Sequence, residues 1–279
     1  MPCSAPSSTR IETFFTPSIS TGAVCSASIR VLIILAPRWR IGGRRSPHAR
    51  TVRLMKQTDS NPPDSPVLAM VPLGGYQTNA FIVADEQDEG AAWIVDCGER
   101  PDPLLDLLES SGRTPRGILL THCHHDHIAG IDRALNRFGT LPIRCHRLEA
   151  EWNQEPLLNL SALLGDPTRV TPPDETFDEG DACPIGPGWR MLHLPGHSPG
   201  SVGFLHEPSG TLIAGDTLFA GSMGRVDFPT SDPEAMKVSL GRLLELPDHV
   251  VVLPGHGPGT TIGDERASNP FLQGGPDRF

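Results

Sequence analysis

One short stretch constrains this chain more than any other. In Thr121-His122-Cys123-His124-His125-Asp126-His127, the residues His122, His124, Asp126 and His127 put three imidazoles and one carboxylate within six positions. The stretch follows the apolar run Ile118–Leu120 and opens onto a helical pattern. Burying so many polar groups at a strand end is costly unless something pairs them, and a divalent cation does. Imidazole and carboxylate suit zinc, iron, manganese or nickel, zinc being the commonest. A tight turn cannot bring all four groups to one ion. Alternate residues of an extended strand end share a face, so His122 and His124 are expected on one ion. Asp126 and His127, where the chain bends into the helix, are expected on a second.

Each ion then lacks ligands, and three later segments offer them. Leu194-Pro195-Gly196-His197 places a histidine in a Gly/Pro turn after a strand pattern. Leu212-Ile213-Ala214-Gly215-Asp216 ends a strand pattern in an acid, and Leu253-Pro254-Gly255-His256 repeats the strand-turn-histidine arrangement. Sites are commonly built on loops held by a rigid scaffold. Asp96, ending Ile94-Val95-Asp96, reads equally as a support for a ligand and as a turn acid. His125 is expected to face away from the ions. Cys123 is expected to be a small buried residue, and His146, His193, His206 and His249 to be structural or exposed.

The periodicity from Val67 onward alternates strands with helices. Strands are expected at Val67–Val71, Ala80–Ala84, Ala91–Val95, Gly117–Leu120, Pro142–Cys145, Trp189–Leu194, Ser201–His206, Thr211–Ala214 and Val250–Leu253. Helices are expected at Pro101–Ser110, His127–Phe138, Pro233–Leu246 and, broken near Pro156, Leu148–Leu164. Strands in runs separated by helices imply two sheets with helices outside, an α/β layered sandwich.

In order and spacing, the HxHxDH cluster, the GH turn, the GD after a strand and the final GH resemble the metal motifs of the metallo-β-lactamase fold superfamily, from about Val67 to Leu272. The resemblance implies a four-layered αββα sandwich. It implies that His122, His124 and His197 hold one divalent metal, that Asp126, His127 and His256 hold another, and that Asp216 bridges them. Two such cations bring the pKa of a shared water to ~7 and polarise a carbonyl. Asp126 then orients the nucleophile or takes its proton, and no serine or cysteine nucleophile is needed.

Two longer segments narrow the resemblance. Gly215-Asp216-Thr217-Leu218-Phe219-Ala220-Gly221-Ser222-Met223-Gly224-Arg225-Val226-Asp227-Phe228 is similar to a stretch of glyoxalase II-type hydrolases. So is Pro254–Arg266 followed by Asn269-Pro270-Phe271. The similarity is closest to short bacterial glyoxalase II-like proteins and implies hydrolysis of hydroxyacylglutathione-type thioesters. The long enzymes of that type carry a helical C-terminal domain that supplies basic residues to glutathione. This chain ends at Phe279, 23 residues after His256, so substrate-binding residues stay unassigned. Arg225 and Arg266 are expected in ion pairs with Asp227 or Glu265 rather than on a substrate carboxylate. The alternatives are a persulfide dioxygenase-like oxidoreductase with a single iron, disfavoured by His256-Gly257-Pro258, and another hydrolase of the same fold acting on esters or lactones. Zinc-cysteine β-lactamases are disfavoured by Asp216.

Charge bounds the partners. Residues 1–56 hold nine Lys/Arg and one acid, leaving 14 bases and 32 acids in the remainder. An acidic body repels phosphate backbones, which argues against a nucleic-acid substrate and for a small molecule. No run approaches the ~20 apolar residues of a membrane span. Six cysteines without a CxxC pair read as reduced thiols of a cytoplasmic protein. Residues 1–65 read as a disordered leader, either a gene-start artefact before an alternative start at Met55 or an Arg/Ser-rich transit segment. The hydrolase domain is then 66–279.

Overall fold

The computed structural model describes residues 65–273. The leader and the Met55 start lie outside the described residues, apart from Ser65. Alternating side chains set the layers. In β2 (Thr78–Ala84), Phe81 and Val83 join one buried cluster while Ile82 joins another. The same alternation runs through β1 (Val67–Leu73) and β3 (Ala91–Val95), so one sheet has two apolar faces and must be covered on both.

After β3 come α1 (Asp102–Ser110), β4 (Thr114–Leu119), α2 (His125–Ile128), α3 (Ile131–Phe138), β5 (Ile143–His146) and β6 (Glu175–Phe177). The first sheet runs β1-β2-β3-β4-β5-β6, antiparallel through β3 and parallel from there. The second half contributes β7 (Trp189–His193), β8 (Val202–His206), β9 (Thr211–Gly215), the hairpin β10 (Leu218–Phe219) and β11 (Ser222–Met223), α4 (Pro233–Leu244), β12 (Val251–Pro254), β13 (Thr260–Thr261) and α5 (Ile262–Ser268). The second sheet has the order β13-β12-β9-β8-β7.

Three buried clusters show a four-layered αββα sandwich. Phe81, Trp93 and Leu119 of the first sheet meet Trp189, Phe204 and Ile213 of the second between the sheets. Leu104, Leu105 and Leu108 of α1, with Ile128 and Ile131, cover the outer face of the first sheet. Met236, Leu240 and Leu243 of α4, with Ile262 of α5, cover the second. Truncating any of these large side chains to alanine is expected to cost ~2–5 kcal/mol.

The expected elements recur with shifts of one to three residues at their ends, except in two places. The helix expected over His127–Phe138 is two helices. Ala129 and Gly130 separate them, and a Cβ at Gly130 would lie 2.2 Å from the Gly98 carbonyl oxygen, so glycine is required where the chain passes there. Leu148–Leu164 is not an α-helix but a string of 3-10 turns, Arg147–Glu149, Trp152–Gln154 and Ser161–Leu164. Side-chain amides compete with the helical backbone there. Asn153 donates to Thr171 O, and Asn159 donates to Trp152 O and Thr168 O. The short strands β6, β10, β11 and β13, and helix α5, were not expected from periodicity.

Among the described residues, no helix is long and apolar enough to cross a membrane.

Candidate metal centre

The seven expected ligands reach one place from four loops. β7, β9 and β12 run in the same direction, since β7 and β9 each pair antiparallel with β8 and β12 pairs parallel with β9. Their C-terminal ends therefore lie together, followed by His197, Asp216 and His256. The loop after β4 brings His122, His124, Asp126 and His127 across from the other sheet. Three groupings of donor atoms result, each with all atoms within 4.8 Å of one another: His122, His124 and His197; His122, His127 and Asp216; Asp126, His127 and His256. Asp216 reaches both sides. One oxygen is 3.5 Å from His127 Nε2, and the other is 3.5 Å from His197 Nε2 and 3.4 Å from His256 Nε2.

The hydrogen bonds behind the imidazoles fix which nitrogen faces inward. His197 Nδ1 donates to Arg225 O at 2.8 Å and His256 Nδ1 to Tyr76 O at 3.2 Å. A carbonyl only accepts, so in both rings Nδ1 carries a proton. His127 Nδ1 sits 2.8 Å from the Asp96 carboxylate, which also accepts from Thr121 N and Oγ1. Such outer partners orient a metal-binding imidazole and raise its basicity. Asp96 is thus the support for His127 rather than a simple turn acid, and it holds a left-handed φ of +59°.

The residues fit a cation. His122 Nε2, His127 Nε2 and Asp216 Oδ1 are buried without a hydrogen-bond partner. Each such orphan costs ~1–3 kcal/mol, and nitrogen and oxygen donors of this kind suit a borderline divalent ion. Close backbone passage completes the enclosure: a Cβ on Gly255 would lie 2.1 Å from Asp216 Oδ1.

Several supports carry no sequence motif. Thr78 Oγ1 donates to Asp126 Oδ2 at 2.7 Å, and Asn79 Nδ2 donates to Pro254 O and Gly257 O, pinning the His256 loop. Glu149 is fully buried and accepts from Cys123 N at 2.6 Å and Gly200 N at 2.7 Å. It ties the loop of His122 and His124 to the loop of His197. Phe228 packs edge-on against both His124 and His197, and Trp152 stacks on His124.

Comparison with known proteins places the chain. The profile of the metallo-beta-lactamase superfamily matches residues 73–256. The chain belongs to this superfamily. It is similar to the probable metallo-hydrolase YqgX of Bacillus subtilis, 37% identical over 73% of this chain and 96% of that protein. It is also similar to the hydroxyacylglutathione hydrolase GloC of Haemophilus influenzae, 34% identical over 74% of this chain and 97% of that protein. Among solved structures, the BLEG-1 B3 metallo-beta-lactamase is 38% identical with a TM-score of 0.68, covering 74% of this chain and 99% of that one. TTHA1623, solved in a di-iron-bound form, is 39% identical with a TM-score of 0.66, covering 73% and 99%.

Within this superfamily member, the two ends of the cluster differ electrostatically. Burial, with the neighbouring imidazoles, pushes His122 and His124 well below the usual histidine range, and burial lowers His197 too. Burial also opposes charge on the other side, but carboxylates outweigh it. Asp126, Asp96 and Asp216 hold His127 well above its usual range, and Asp126 and Asp216 raise His256 to about 9. The same partners keep Asp126 and Asp216 ionised against burial, both lowered.

The remaining expectations sort plainly. His125 joins none of the three groupings; its Nε2 lies 3.3 Å from Glu99. Cys123 is buried, and Cys97, Cys145 and Cys183 are likewise buried free thiols. His146 stacks on His193 at 4.2 Å, and His206 meets Glu86 and Ser209, all away from the cluster. Arg225 pairs with Asp227 as expected. Arg266 pairs with Asp248 and the Leu244 and Leu246 carbonyls, not with Glu265, which instead accepts from Gly221, Thr260 and Asn269.

Proposed function

We propose that this metal-dependent hydrolase of the superfamily cleaves thioesters of the hydroxyacylglutathione type, with two divalent ions held by His122, His124 and His197 on one side, Asp126, His127 and His256 on the other, and Asp216 between. The observation that carries the reading is Asp216 lying 3.4–3.5 Å from imidazole nitrogens of both groupings. When bound, such a pair of ions lowers the pKa of a shared water toward ~7 and polarises the scissile carbonyl. Zinc suits the donor set, and the di-iron form of TTHA1623 makes iron the metal to test beside it.

The chain's own residues do the rest. Asp126, hydrogen-bonded by Thr78 and 3.1 Å from His256 Nε2, is placed to orient the attacking water and take its proton. Asp96, Tyr76 O and Arg225 O hold three imidazoles in register. A cleft of about 270 Å³ reaches the cluster and gives a small substrate access. The thioester assignment is supported by GloC among the relatives.

The test is hydrolysis of S-lactoylglutathione by the purified chain loaded with zinc or iron, against the chelated protein. Metal-dependent turnover is the expected result. No turnover, with metal bound, refutes the hydroxyacylglutathione reading; if longer acyl-glutathiones are not hydrolysed either, a β-lactam is the next substrate, given the likeness to BLEG-1. Oxygen uptake with glutathione persulfide would instead show an oxidoreductase.

A further inference from the structure

We propose that the cleft selects the acyl side of its substrate through a wall of leucines, so that thioesters of longer apolar acids are preferred over lactoyl thioesters. The proposal rests on the hydrolase reading above and refines its substrate class. Leu160, Leu163 and Leu164 line the cleft together with Phe219 and Phe228. Leu163 is 60% exposed and Leu164 51%, apolar surface left in water beside a polar centre.

The wall is held in place rather than draped there. Asn159 donates to Trp152 O and Thr168 O, accepts from Ser161 N, and its carbonyl accepts from His125 N at 2.8 Å. The chain turns the leucines toward the cleft through Leu160 at φ +68°, a left-handed conformation that a bulky residue adopts only where its surroundings impose it.

Charge decides which half of a thioester meets this wall. Arg225 is the one Lys or Arg among the described residues lining the cleft. Both its Nε and Nη2 are engaged by Asp227 at 2.9 Å, and it lies 4.5 Å over the Phe228 ring. A glutathionyl group carries two carboxylates and an ammonium, for which leucines offer no partner. The thiol half therefore points to solvent, and the acyl half lies along the leucines. In the reaction, water forms the new C–O bond, the C–S bond breaks, and the thiol leaves with the proton.

The experiment compares lactoyl-, acetyl-, butanoyl-, hexanoyl- and octanoyl-glutathione with the metal-loaded full chain, and measures butanoate and octanoate binding by calorimetry. kcat/KM is expected to rise about fourfold per added methylene until the cleft is full. In Leu163→Ser/Leu164→Ser, whose sites are more than half exposed, the octanoyl-to-acetyl ratio and the octanoate-to-butanoate affinity ratio both fall at least tenfold. Turnover that is flat or declines with chain length overturns the proposal and leaves thioester hydrolysis standing. Affinity ratios equal in wild type and variant also overturn it. Octanoate binding that weakens in the variant, with no thioester hydrolysed, supports the wall and refutes the thioester reading.

Discussion

The two ends of the candidate metal cluster share the Asp216 carboxylate yet are prepared for a cation in opposite ways. His122, His124 and His197 are buried, and burial lowers all three, with neighbouring imidazoles adding to it at His122 and His124. No net proton has to leave, although His124 Nδ1 donates to His197 Nε2 at 2.9 Å and that hydrogen bond gives way when an ion binds. Asp126, His127 and His256 form a partly exposed ion-paired group, with His256 raised to about 9 and His127 raised well above its usual range. At neutral pH an incoming ion must displace protons from the two raised histidines, while Asp126 is already ionised. One site is built by excluding charge and the other by balancing it, so their metal affinities should respond differently to pH.

Removing the shared element is expected to have the largest effect. Asp216→Ala abolishes turnover and lowers metal content at both ends while circular dichroism stays unchanged. Full activity in that variant would break the two-ion account.

Breaking one end should come next. Asp96→Asn removes the carboxylate behind His127, and affinity for the ion at the Asp126, His127 and His256 end is expected to fall about 10–100-fold. The His122, His124 and His197 end should keep its ion. Equal loss at both ends, read by competitive chelation, would show that they are not separable. Glu149→Ala is the mirror test. It orphans the Cys123 and Gly200 amides beneath the neutral trio, lowering stability by about 1–3 kcal/mol in denaturant unfolding, with the neutral end losing metal first. His125→Ala should be the mildest change, at most a few-fold in kcat/KM, since His125 joins no donor grouping.

Acidification sharpens the same contrast. In the metal-free protein, the lowered pKa values of the neutral trio mean that stability falls as pH drops below about 6.5, where the unfolded chain takes up protons first. The raised His256 acts the other way: its contribution is present below the unfolded value and is lost as pH rises through about 9. The lowered Asp126 and Asp216 contribute above about 4 and lose that contribution as pH falls through their folded values.

What the sequence disclosed follows the same physical divide. His122, His124, Asp126 and His127 are readable because local spacing on a strand end and helix start carries the chemistry. His197, Asp216 and His256 are candidates by their place after strand patterns, but their assignment to one ion or the other rests on family resemblance, since nothing local says that β7, β9 and β12 end side by side. The outer partners were harder still. Tyr76 O and Arg225 O act through backbone carbonyls that any residue supplies, and Thr78 and Asn79 look like ordinary strand residues. Glu149 lay in a stretch read as helix, where an acid reads as solvent-facing. In the fold, alternation disclosed the long strands. The two- and three-residue strands have too few positions for a period, and α5 was signalled only by its cap, Thr261 Oγ1 accepting from Asp264 N.

The most direct measurement is a calorimetric titration of the chelated full chain with zinc at pH 7, in two buffers of different ionisation enthalpy, with elemental analysis of the product. The account predicts two ions per chain, one binding step with little proton release and one releasing close to two protons. A single ion per chain, or two steps with identical proton release, would contradict it.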